Sequence, residues 1–143
     1  MNITDSEVLT YKDIEYIISF NKRRVEKRGE LFEVDRDYLD KMLSKVESYN
    51  CIDDKQERII KKATRILAGI TYYQPFGDGN KETAHFLTIR FLKRNGFKLP
   101  NTPSDKKEIY NLLIKTILKP TNDPSIFKEI EDYISKKIRL LYQ

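Results

Sequence analysis

The stretch QPFGDGNKETAH, residues 74–85, decides how the rest of the chain is read. It holds two of the five glycines, Gly77 and Gly79, with Asp78 between them and Asn80 and Lys81 directly after. Helical periodicity runs up to this stretch and resumes behind it, so it joins a helix C-terminus to a helix N-terminus. The unpaired backbone N–H groups of such an N-terminus, reinforced by the helix dipole, receive anions. The glycines allow the backbone to approach a ligand closely, and a tight course calls for positive φ there. Lys81 adds a positive charge at the mouth. Asp78 is a hard oxygen ligand of the type that holds Mg²⁺ beside phosphates. These features predict a phosphate- or nucleotide-binding loop formed by Gly77, Gly79, Asn80 and Lys81. They fit an ordinary helix–loop–helix corner, capped by Asn80, equally well.

Outward from this loop nearly every segment repeats its apolar residues at helical spacing. On the N-terminal side, Thr10 with Asp13 forms a capping box. The helix it opens carries Ile14, Ile17, Ile18 and Val25, and Gly29 ends it. The segment GELFEV, residues 29–34, alternates apolar and acidic residues as a short strand or flap does. Asp35 then caps a helix with Leu39, Met42, Leu43 and Val46 inside. A longer helix from about Asp54 to Tyr73 places Ile59, Ile60, Ala63, Ile66, Leu67 and Ile70 on one stripe.

On the C-terminal side a helix capped by Asn80 runs to about Asn95, with Gly96 as its stop. Its buried face would be Ala84, Leu87, Thr88, Phe91 and Leu92. Ser104 is placed to cap a helix carrying Ile109, Leu112, Leu113 and Ile117. Asp123 is the expected cap of the last helix, with Pro124 in its first position. That helix presents Ile126, Phe127, Ile130, Tyr133, Ile134, Ile138 and Leu141. The reading is an all-α bundle of six or seven helices, with a flap or hairpin near residues 30–34. One domain spans residues 1–143, with no repeat or linker.

Composition agrees and narrows the function classes. Hydrophobic residues are 39% and charged residues 34%, which suits a globular chain rather than a disordered one. No apolar run approaches membrane-spanning length, and the first residues lack a signal-peptide pattern, so the expected location is the cytoplasm with no membrane partner. The single cysteine, Cys51, reads as a small half-buried residue rather than a nucleophile. The net charge of +5 would suit nucleic acid or an acidic protein. The basic clusters NKRRVEKRGE and SKKIRLL are interleaved with acids or apolar residues, however, and read as solvated helix faces. A basic binding module for nucleic acid or protein therefore rests on net charge alone and is the minor reading.

The motif itself resembles the signature of the Fic/Doc (fido) family, His-Pro-Phe-x-(Asp/Glu)-Gly-Asn-(Gly/Lys)-Arg-Thr-Ala. Pro75, Phe76, Asp78, Gly79, Asn80, Lys81, Thr83 and Ala84 match, and Lys81 is the choice of the Doc-like branch. LTYKDIEYI, VDRDYLDKMLSKVE and AHFLTIRFLKRNGFKL are also similar to family segments, so the likeness covers most of Leu9 to Leu99. The resemblance implies a transferase of toxin–antitoxin type that moves AMP or phosphate from ATP, with Mg²⁺, onto a protein hydroxyl. It implies a translation factor as target or a cognate antitoxin as partner. Asp78 would hold the metal, residues 79–81 would form the anion hole, and Leu31, Phe32, Glu33 and Val34 would form the target-binding flap.

Two positions depart from that signature. The general base is replaced by Gln74, whose amide has no usable proton-accepting pKa. The phosphate-binding arginine is replaced by Glu82, a charge reversal. A second family arginine position holds His85, a possible substitute base, although a lone histidine is more often a surface or satisfied core residue. SDKKEI and SIFKEI have the serine–glutamate spacing of the family's inhibitory helix but end in isoleucine, so no internal inhibitor is read. The expectation is a transferase scaffold that is inactive or strongly impaired. The alternative is an active, divergent transferase using His85 or a proton acceptor on the substrate.

Overall fold

The computed structural model describes residues 3–119 and 123–141. Six α-helices carry the fold: α1 (Tyr11–Lys27), α2 (Arg36–Glu47), α3 (Lys55–Tyr73), α4 (Asn80–Arg94), α5 (Pro103–Leu118) and α6 (Ser125–Lys137). Short 3₁₀ turns lie at Asp5–Glu7 and Ser48–Cys51. The expected all-α bundle is what forms.

Helix α3 is the axis of the bundle, and α2, α4, α5 and α6 all pack on it. Its apolar stripe, Ile59 to Ile70, is buried, and so are Ala68 and Gly69 on the other side. Gly69 is small for a reason. A Cβ there would lie 3.2 Å from the Tyr38 hydroxyl, which donates to the Gly69 carbonyl at 3.1 Å. The long side chains of Arg58 and Lys62 are buried too, where periodicity alone would place them in solvent. They are satisfied by the N-terminal turn. Arg58 Nε donates to Glu7 Oε1 at 2.6 Å, and Lys62 Nζ donates to the Glu7 carbonyl at 3.0 Å and Asn50 Oδ1 at 2.6 Å. Burial disfavours the Glu7 carboxylate, but bonds from Arg58 and Thr4 outweigh it and hold the group at about 2. Arg94 at the end of α4 ties the same N-terminal segment down through Asp13 at 2.6 Å and the Ser6 and Val8 carbonyls.

Local signals placed most helix ends. Thr10 with Asp13, Asp35 and Asp54 cap α1, α2 and α3. Three expectations need correction. Helix α5 is capped by Thr102 with Asp105 rather than by Ser104, because Pro103 occupies its first position and lacks the N–H that a helix start can spare. Helix α6 starts at Ser125; the Asp123 carboxylate accepts from Ser125 N at 2.9 Å, and Pro124 precedes the helix. That helix also stops at Lys137, short of Leu141. The chain there becomes β2 (Arg139–Leu140), antiparallel to β1 (Phe97–Lys98), and Leu141 N donates to Gly96 O at 2.9 Å. This two-stranded ribbon carries no periodic signal because each strand is two residues long.

Candidate functional site

The motif loop begins where α3 ends. Gln74 takes a left-handed conformation, φ 53°, at the helix C-terminus, with its N–H on the Ile70 carbonyl at 3.1 Å. That reversal turns the chain back toward α4. The buried ring of Phe76 anchors the loop in the core. Asn80 does not cap α4 as its position suggested. It is the first helical residue, and its amide turns back onto the loop, accepting from Phe76 N at 3.0 Å and donating to Phe76 O at 2.9 Å. The cap position falls to Gly79, φ +73°, which has no side chain to fill it. The N–H groups at the start of α4 are therefore left without a side-chain cap, as an anion site requires.

The two glycines do different work. Gly79 needs its positive φ, and a Cβ there would sit 3.0 Å from Asn21 Nδ2. Gly77 does not have a positive φ; its role is to let residue 33 approach, since a Cβ would meet Glu33 Cβ at 3.2 Å. The expected flap pairs with the loop at that point. Val34 and Phe76 form an antiparallel bridge, Gly77 N donates to Glu33 O at 3.0 Å, and Asp35 N donates to Pro75 O at 2.7 Å. Leu31 is exposed and Phe32 half-buried beneath Lys22. Asn21, buried on α1, holds the loop from the opposite side through the Asp78 carbonyl at 2.8 Å and the Thr83 hydroxyl at 3.0 Å.

A cleft of about 350 Å³ opens over this loop, lined by Gln74, Gly77 to Glu82, and Tyr110 and Ile117 from α5. It brings Gln74, Asp78, Asn80, Lys81 and Glu82 together. His85 is not among its lining residues: it is buried beside Tyr110, rings edge to face at 5.7 Å. Burial first, and Lys106 second, push its imidazole down to about 4.

Sequence reasoning missed two groups here. Tyr110, from α5, forms part of the wall. Arg24 and Arg28, from α1, reach across to the loop and grip Glu82. Arg24 lies 3.1 Å from Glu82 Oε2, and Arg28 Nη1 lies 2.8 Å from Glu82 Oε1. The second amino group of Arg28 makes a longer contact of 3.4 Å to Asp78 Oδ2, and its Nε lies 3.6 Å from Glu30. Burial would lower the Arg28 pKa, but Glu82 and Asp78 raise it overall. The charge reversal at position 82 is thus answered by two cations from another helix. The only signal available was the density of arginine in residues 23–28, which fits a solvated face just as well.

Bundle, bridge and cleft define a helical protein built around one loop-to-helix cradle. The family model for the Fic/DOC family matches residues 10–92, from the cap of α1 through most of α4. The chain belongs to the Fic/DOC family. No curated protein and no solved structure compared with it gives a significant match.

Proposed function

We propose that this Fic-type transferase scaffold does not carry out the transfer associated with its fold, or does so only at a strongly reduced rate. The observation that carries this reading is Gln74, at the position of the base and on the wall of the cleft. An amide can orient a hydroxyl but cannot take its proton, and loss of a general base costs about 10²–10⁴-fold in rate. His85 is a poor replacement, being buried off the cleft with its pKa down at about 4. Tyr110 does line the cleft, but burial and then Glu82 raise its pKa, so it keeps its proton at neutral pH.

Binding is a separate matter from transfer. The uncapped α4 N-terminus and Lys81 support retention of a nucleotide or another phosphate-bearing ligand. The bridged segment Leu31–Val34 supports strand-wise contact with a protein, which we take to be a translation factor or an antitoxin-like partner. The chain would then act by occupying a partner rather than by modifying it.

The test is incubation with labelled ATP, divalent metal and a cell lysate. Absence of label on any protein, with label appearing once Gln74→His is introduced, supports the proposal. Robust transfer that survives Gln74→Ala and is lost in His85→Ala would refute it and make His85 the base.

A further inference from the structure

Asp78, the residue that the family resemblance assigns to a divalent ion, already faces a cation. The Arg28 guanidinium spans two carboxylates, reaching Glu82 at 2.8 Å and Asp78 at 3.4 Å. Arg24 holds the other oxygen of Glu82 at 3.1 Å. Glu82 therefore works as an anchor that keeps the Arg28 fork beside Asp78. Magnesium needs near-octahedral oxygen ligands at short range and dehydrates reluctantly. Beside a nucleotide it is usually held by one or two carboxylates together with phosphates and waters, so the oxygens of Asp78 would have to be open to it. An ion reaching Asp78 would have to settle against a guanidinium that a neighbouring carboxylate fixes in place. The one carboxylate at this position is thus already matched by a cation, and a divalent ion does not fit beside it.

We propose that Arg28, from beside this cleft, takes the place of a divalent cation at Asp78, with Glu82 and Arg24 positioning it. The charge reversal at residue 82 is then the device that recruits the substitute. A phosphate-bearing ligand at the α4 N-terminus is met by the N–H groups and Lys81, with no metal between it and Asp78. This rests on reading the loop as the family's ligand cleft, but not on whether transfer occurs.

Manganese titration followed by electron paramagnetic resonance tests it, because the signal of free Mn²⁺ falls on binding whether or not the protein has any activity. The unaltered protein should leave the signal unchanged through the low millimolar range. Arg28→Gln should bind Mn²⁺ at least about tenfold more tightly, since a like charge a few ångströms away is removed. Adding Asp78→Asn should abolish the gain. Equal binding by the unaltered protein and Arg28→Gln would overturn the proposal, and so would failure of both to bind. Should Arg28→Gln lose its helical circular dichroism, Arg28→Lys answers the same question. A point charge cannot bridge both carboxylates as a fork does, so binding intermediate between the two is expected. Label transfer from ATP would refute the inactive reading while leaving the manganese result standing. Binding of Mn²⁺ by the unaltered protein as tightly as by Arg28→Gln would do the reverse.

Discussion

Replacing Glu82 by arginine restores the residue type of the family signature, yet in this chain it should destabilise the fold locally. Glu82 is 28% exposed and paired with Arg28, 38% exposed, and Arg24, 53% exposed. Coulomb's law alone gives about 4 kcal/mol for unit charges at such separations with an effective dielectric of 20. Exposure of this degree argues for much less, because measured pairs of this kind contribute about 0.2–1 kcal/mol each. Glu82→Gln should therefore cost about 1 kcal/mol through loss of two attractions. Glu82→Arg adds two repulsions of similar size, for a total of about 2 kcal/mol. Urea denaturation followed by circular dichroism measures both. The informative variant is the exchange Arg24→Glu with Glu82→Arg, which rebuilds one of the two contacts with reversed sign and should recover about half the loss. The effects should shrink in 1 M salt, where the screening length is about 3 Å. A Glu82→Arg protein as stable as Glu82→Gln at low salt, or an exchange variant no better than Glu82→Arg, would refute the compensation argument.

Asn80→Ala removes both bonds that close the loop onto Phe76 and leaves those buried backbone groups unpaired; a loss of about 1–3 kcal/mol is expected in the same unfolding assay. Gly79→Ala should cost about 1–2 kcal/mol for the left-handed backbone alone, plus the displacement of Asn21, whereas Gly29→Ala meets no neighbouring atom and should show only the backbone cost. Acid should weaken the fold in two stages. The His85 pKa is lowered from 6.5 to about 4, so its contribution is complete above pH 6.5 and is lost as pH falls toward 4, for about 3 kcal/mol at most. The Glu7 carboxyl is lowered from 4.5 to about 2, so its contribution, of similar size, is complete above pH 4.5 and is lost on the way to pH 2. Stability measured against pH for His85→Phe should lack the first stage and keep the second. An unchanged profile would show that His85 is not held neutral by its surroundings.

Much of the fold was legible because its causes are local. A cap such as Asp54 is decided by whether a side chain four or fewer residues away can reach an N–H, and the stripe on α3 by which residues share a face. Both can be read without knowing any other element. The burial of Arg58 and Lys62 could not, because it depends on Glu7, 51 and 55 residues away in the chain. Asn80 shows the limit inside the motif. Its residue type suits a cap, but the loop's own carbonyl and N–H compete for its amide, and with Gly79 able to turn the chain unaided the loop wins. The family signature located the cleft. Its α5 wall, and the arginines that reach the loop beside it, came only with the packing of the helices.

Gln74 and Glu82 look alike in the sequence, as two departures from one motif, but the structure separates them. Gln74 ends α3 with its own backbone reversal and has no hydrogen-bonded side-chain partner among the described residues, so its replacement by histidine breaks no side-chain hydrogen bond. Glu82 is embedded in a set of groups drawn from α1 and the loop, at separations of 54 and 58 residues. This side of the loop is thus organised around a carboxylate at position 82. Position 74 simply holds an amide where the family signature has its histidine. One substitution can supply a base at position 74, while restoring the motif's arginine at position 82 requires altering α1 as well. Any attempt to recreate the family's chemistry in this chain should begin with Gln74→His and leave Glu82 in place.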